Sequence, residues 1–303
     1  MRQTTTSSTS REGQLPWWER IGNALVYSHV WIGLAAAVQV VCSAMLSPNF
    51  ESGVTFRYAA LVFFASVSFY SFHRLYSLWR LLPTLPTKRW QAVFKLQRLL
   101  FALVPLGFLG ALVLFVTLPW NWQWRIAFPA IVSALYAIPL IKWKRLRDFG
   151  SAKVLWLSVG WVWLCTVVPM SALGEMNWWL VFERLFFLVG LTLAFDWRDT
   201  EQDQMEGVIT WPLRFGRVKT MWLSMALIAI SVGLNIQLYS FGPTTLDDFA
   251  AQGLFVGSVF TGGSMVYAFA KTRPHHLYYG VYLDGSLVLP GLVAFLLWFF
   301  IMT

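Results

Sequence analysis

The chain has 303 residues, of which 57% are hydrophobic, 17% aromatic and only 12% charged. Soluble domains carry roughly 25% charged residues, so a chain wetted on all sides is excluded. The formal net charge of +9 is spread between apolar blocks, where it reads as membrane topology and contact with anionic lipid heads, and not as a nucleic-acid-binding face.

Taken in chain order, residues 1–19 form a Ser/Thr-rich polar tail that is expected to be disordered. The tail lacks the basic, apolar, small-residue order of a cleavable signal peptide. Residues 20–303 are expected to be a single transmembrane helical domain. Apolar blocks near or above the ~20 residues needed to cross a bilayer predict nine spans, at residues 21–46, 55–78, 99–118, 126–141, 154–173, 178–195, 221–239, 253–270 and 282–301. The predicted fold class is therefore all-α, a polytopic membrane helical bundle of about nine helices.

With the N-terminus in the cytoplasm, twenty of the 23 Lys and Arg residues fall on the cytoplasmic side, leaving Arg57, Arg125 and Arg184 on the other. This is a positive-inside pattern, and an odd number of spans puts the C-terminus on the opposite side. A bacterial cytoplasmic membrane is the expected setting. Trp17, Trp18, Trp120, Trp122, Trp124, Trp178 and Trp179 crowd span ends, where indoles favour the interface. Cys42 and Cys165 lie inside spans without any CxxC spacing and read as apolar packing. Glu183 and Arg184, near the outer end of the sixth span, read as an interfacial ion pair.

The chemically suggestive segments all fall on the cytoplasmic side. The second span runs on through Tyr70-Ser71-Phe72-His73-Arg74. Ionisable groups inside a span face the bundle interior and have a partner. His73 and Arg74 are accordingly candidates to grip a phosphate or carboxylate head, for which a guanidinium is suited; the alternative for Arg74 is snorkelling to the interface. After the fourth span come Lys142, Lys144, Arg145 and Arg147, read mainly as anchors.

The sixth span runs out into Phe195-Asp196-Trp197-Arg198-Asp199-Thr200-Glu201-Gln202-Asp203. Asp196, Asp199 and Asp203 fall at i, i+3 and i+7, so in helical geometry the three carboxylates share one face. Their repulsion is relieved either by a hard cation such as Mg²⁺ or by salt bridges to Arg198, Arg214 or Arg217. Asp284, at the start of the last span, is a candidate structural counter-ion for Arg74 or His73. His275 and His276 sit in a short polar loop and are too few for a metal site.

Three segments carry a family resemblance. Asp196-x-x-Asp199-x-x-x-Asp203 is followed by Glu206-Gly207-Val208-Ile209-Thr210-Trp211-Pro212-Leu213-Arg214-Phe215-Gly216, and the fourth span ends in Leu135-Tyr136-Ala137-Ile138-Pro139-Leu140-Ile141-Lys142. In these motifs, and in its span count and orientation, the chain from about residue 21 onward resembles the UbiA superfamily of intramembrane prenyltransferases. The resemblance implies a helical bundle around a cavity and transfer of a prenyl group from an isoprenoid diphosphate to a lipophilic acceptor. It also implies Mg²⁺ held by two aspartate-rich motifs, with Asp196, Asp199 and Asp203 as the second of these and Lys142 as a diphosphate contact. Aromatic faces stabilise an allylic cation, and Tyr70 and Tyr136 are the candidates. The first aspartate motif is absent: no acid occurs between Glu51 and Asp148. Two functions follow. One is a prenyltransferase-like enzyme with a rebuilt diphosphate site. The other is a non-catalytic relative that binds or moves an isoprenoid or quinone-type lipid, or serves as a partner subunit. The expected partners are an isoprenoid diphosphate or prenylated lipid and the membrane lipids, with no nucleic acid.

Overall fold

The computed structural model describes residues 17–82, 88–138, 145–205, 207–238, 246–270 and 278–302, and these fold as helices joined by short turns. In chain order the α-helices are α1 (Trp17–Tyr27), α2 (Val30–Met45), α3 (Ser52–Leu81), α4 (Lys88–Lys95), α5 (Gln97–Thr117), α6 (Trp120–Gln123), α7 (Ala127–Ala137), α8 (Ala152–Val162), α9 (Val168–Ala172), α10 (Trp178–Arg198), α11 (Thr200–Met205), α12 (Trp211–Phe215), α13 (Arg217–Leu238), α14 (Leu246–Ala270) and α15 (Leu289–Met302). The first helix opens within the last residues of the segment expected to be a polar tail.

Among the described residues six helices are long and apolar enough to cross a membrane, and a seventh crossing results if α1 and α2, bent by 65° at their junction, count as one span. The protein is an integral, multi-pass membrane protein. The expected count of nine is not reached by these criteria for two reasons. The fourth predicted span contains only the eleven residues of α7, and the last apolar helix is shorter than a full crossing. α8 and α9 form one crossing because a π-helical turn, Trp163–Val167, joins them without ending the helix. Such a turn inserts an extra residue and re-aims the side chains before it.

α3 is the longest element at 30 residues, or roughly 45 Å at 1.5 Å per residue. This exceeds the ~30 Å hydrocarbon thickness, and the apolar stretch Ser52–Trp79 carries His73 and Arg74 in its last two turns. α3 packs along α5, α10 along α13, and α14 along α15. In lipid such contacts need small residues, because no hydrophobic driving force separates helix from tail. A Cβ on Gly190 of α10 would meet the Ser224 carbonyl oxygen of α13 at 2.9 Å, and the Ser224 hydroxyl donates to the Gly190 carbonyl at 2.6 Å. One buried cluster, including Val162, Phe187, Leu191, Ile228, Met265 and Leu283, ties α8, α10, α13, α14 and the turn before α15 together. A second, around Val40, Tyr58, Trp122 and Val168, joins α2, α3, α6 and α9.

Two expectations on single residues change here. Trp120, Trp124, Trp178 and Trp179 are exposed as interfacial indoles should be, but Trp122 is buried against Tyr58. Glu183 and Arg184 are not an interfacial pair: both are buried, and they form an ion pair extended by Gln39 of α2, Ser231 and Asn235 of α13, and Ser258 of α14. A charge at the bundle interior requires such partners, since each unmet polar group in hydrocarbon costs several kcal/mol, on the order of the desolvation penalty. Cys42 and Cys165 are buried free thiols, as expected.

Candidate functional site

A cavity of about 440 Å³ lies where α1, α2, α3, α4, α7, α8, α10, α11 and the segment before α15 converge, within the 300–1,000 Å³ range typical of small-molecule sites. Three helices grade its lining in the same sense. Along α10 the lining runs Leu188, Leu191, Thr192, Phe195 and then Asp196, Arg198, Asp199. Along α3 it runs Tyr70, then His73 and Arg74. Along α8, read backwards, it runs Trp161, Ser158, Leu157 and then Lys153. The cavity is therefore apolar in the bundle interior and charged at one end.

The aspartate stripe occupies the charged end, but its three members do not act together. α10 ends at Arg198, Asp199 is its C-cap residue with φ −90° and ψ 7°, and the chain restarts as α11 at Thr200. Asp196 and Asp203, both buried, converge on Lys153: its Nζ lies 3.0 Å from Asp196 Oδ1 and 2.7 Å from Asp203 Oδ2. Asp199 turns to Arg198, whose Nε and Nη2 donate to its two carboxylate oxygens at 2.8 and 2.9 Å. The salt-bridge relief anticipated for Arg198 is thus realised, while Lys153 supplies the cation for the other two acids.

This arrangement does not fit the expected metal site. A divalent ion needs open carboxylate oxygens. Here two carboxylates clamp an ammonium and the third chelates a guanidinium. Among the described residues no three His, Cys, Asp or Glu side chains are gathered as a metal ion would require. Asp196 Oδ2 remains buried without a hydrogen-bond partner, so a donor placed there would satisfy it.

The other expected site residues are brought to the same cavity, with one exception. Tyr70 lies under the ring of His29 at 6.2 Å and accepts a 2.9 Å hydrogen bond from Trp161 Nε1. Tyr136 faces His73 at 6.0 Å. Arg74 lies over the Trp90 ring at 5.2 Å, a cation–π contact that holds the guanidinium at the cavity wall. Asp284 lines the same cavity as His73 and Arg74, and it also acts electrostatically on Arg198. Lys142 falls outside the described residues, as do His275 and His276.

Several residues escaped the sequence reading. His29 sits at the α1–α2 bend with φ 62°, the left-handed region. It is buried, lines the cavity and contacts the Ser71 hydroxyl at 3.3 Å. A non-glycine residue held there stores strain of about 1–3 kcal/mol, and such residues cluster at ligand sites. Lys153 is not singled out by the sequence reading. A signal existed: it stands in the first turn of α8, where a positive charge opposes the helix dipole and so implies a carboxylate opposite. Its position is fixed from below. Gly150 has φ +58°, and a Cβ there would stand 2.4 Å from the Ile209 carbonyl oxygen. Trp211 Nε1 donates to the Ser151 carbonyl at 2.9 Å. The loop behind the aspartate stripe therefore braces the start of α8. Arg145, expected as an anchor, is buried, pairs with Asp148 at 2.7 Å and lies over Tyr76.

No protein-family model and no curated protein sequence matches this chain. Its similarity is to solved structures. A UbiA homolog from Archaeoglobus fulgidus bound to GPP and Mg²⁺ is 12% identical over 91% of this chain and 98% of that one, with a TM-score of 0.65. The same homolog bound to DMAPP and Mg²⁺ is 13% identical over 91% and 98%, with a TM-score of 0.63. A UbiA homolog from Aeropyrum pernix K1 is 16% identical over 91% and 98%, with a TM-score of 0.63. Likeness across nearly whole chains at such low identity is a likeness of architecture: this membrane-spanning helical bundle has the UbiA-like fold.

Proposed function

We propose that the chain is a prenyltransferase-type protein that takes an isoprenoid diphosphate into the cavity and transfers its prenyl group to a lipophilic acceptor. The reading is carried by the matched gradation of α3, α8 and α10, each apolar toward the interior and charged at the same end. An amphiphile with a long apolar chain and a small charged head is what such a lining accepts. The prenyl chain would lie along Leu188 and Leu191, and the head against His73, Arg74 and Lys153, with Lys142 as a further contact. In transfer, the bond between the allylic carbon and the diphosphate oxygen breaks and its electron pair leaves with the diphosphate. The acceptor's nucleophilic atom bonds to that carbon and loses a proton. Guanidinium and ammonium groups stabilise the departing charge, and the Tyr70 and Tyr136 faces suit an allylic cation.

A second reading, a non-catalytic isoprenoid-binding protein, is favoured by one observation: Lys153 and Arg198 already pair with all three aspartates. Purified protein incubated with geranyl diphosphate and a membrane-lipid extract separates the two. Saturable binding with release of diphosphate supports the transferase, and saturable binding without release supports the second reading. No saturable binding in any buffer removes both.

A further inference from the structure

We propose that the Lys153 ammonium stands in for a divalent cation, so that the cavity binds a diphosphate head without metal. This rests on the isoprenoid-diphosphate reading above and specifies how the head is held. The aspartates form a slot that in helical geometry should repel itself, and Lys153 fills it at 3.0 and 2.7 Å from two carboxylates. Both carboxylates and the lysine are buried, so the ammonium is a fixed part of the structure and not a screened surface charge. An ammonium has three N–H donors. Two are engaged by Asp196 and Asp203, which leaves the third for a ligand in the cavity that Lys153 lines.

Charge is divided within the site: Arg74, Lys153 and Arg198 line the cavity together with Asp196, Asp199, Glu201 and Asp284, so the head must sit where the bases stand. An ammonium between two carboxylates leaves one negative charge more than a divalent ion would leave. A phosphate head then requires positive charge from elsewhere. The end of α3 supplies it through Arg74, with the His73 ring beside it: between Glu51 and Asp148 the sequence has no acid, and both residues stand at the cavity. The absence of acids on α3 and the lysine in the acid slot of α10 and α11 are complementary: side-chain charge stands where a metal would otherwise supply it. A purely structural reading of Lys153, as a strut between α8 and α10, accounts for the ion pairs but not for the basic end of α3.

The test is binding of geranyl diphosphate to the full chain in nanodiscs, with Mg²⁺ or with EDTA, alongside thermal unfolding with Mg²⁺ alone. Wild-type affinity should agree within about threefold in the two buffers, and Mg²⁺ alone should not raise the unfolding temperature. Lys153→Met should weaken binding in EDTA by about tenfold or more. With the slot emptied, Mg²⁺ should partly restore binding and raise the unfolding temperature of this variant. Lys153→Arg, which keeps the charge, should bind in EDTA and controls for folding. A wild type that binds only with Mg²⁺ overturns this inference and leaves the transferase reading standing, as does a Lys153→Met variant that binds like wild type in EDTA. Absence of binding in both buffers overturns both.

Discussion

At the residue scale, charge placement inside the bundle decides what the side chains can do. Glu183 and Arg184 are adjacent in sequence and both buried, with hydroxyl and amide groups from three other helices completing their hydrogen bonds. Removing one partner leaves an uncompensated charge, which costs about 3–5 kcal/mol. Glu183→Ala should therefore lower the detergent unfolding temperature markedly, while Glu183→Leu combined with Arg184→Met should recover much of the loss. Equal losses in the single and double variants would show that the pair is held for something other than mutual compensation. Arg198 offers a second check at this scale. It chelates Asp199 and lies over Phe195 and Tyr279, so Arg198→Lys, which lacks the planar fork, should weaken ligand binding without unfolding the protein. Unchanged binding in that variant argues against a role for the fork.

At the element scale, the working parts are the starts and ends of helices. The beginning of α8 is held by the loop behind the aspartate stripe, with Gly150 in the left-handed region against the Ile209 carbonyl. Gly150→Val meets both a steric and a conformational penalty, on the order of 1–3 kcal/mol. It should displace Lys153 and lower head-group affinity more than Gly263→Ala, where a Cβ meets nothing within 4 Å. Titration of both variants with geranyl diphosphate measures the difference, and matched affinities would mean that the brace does not position Lys153. The family-like segment from residue 206 to 216 thus has a mechanical reading alongside any chemical one. At α11 and the stripe, a strict i, i+3, i+7 face was legible in the sequence. The division of its carboxylates between Lys153 and Arg198 was not, because it depends on which cation packing brings to each.

At the scale of the whole molecule, the bundle exposes apolar side chains on helices such as α5, where Phe108, Leu109 and Val113 face outward. This is the lipid-facing surface that the low charge content required. Phe108→Lys places a charge near the middle of α5 at a cost of roughly 2.5–3.5 kcal/mol and should shift the protein out of the membrane fraction on expression, whereas Phe108→Leu should not. Full insertion of the lysine variant would place that surface against protein and not lipid.

The sequence by itself determined the class of this molecule. Apolar run lengths and the scarcity of charge dictate a multi-pass helical bundle, because in lipid every backbone group must be paired within its own helix. It also determined that acids gather after residue 195 and bases near residue 74, since those are one-dimensional facts. The tertiary structure decided who neutralises whom. Lys153 lies 50 residues from Asp203 and close to an ordinary loop anchor in sequence, yet its ammonium is 2.7 Å from that carboxylate. His29 and Trp161 enter the cavity because of a bent helix and a π-helical turn, which no local periodicity announces. A carboxylate stripe has the same sequence whether a metal, a ligand or a lysine completes it, and only packing, through distance and burial, selects the partner with the lowest free energy.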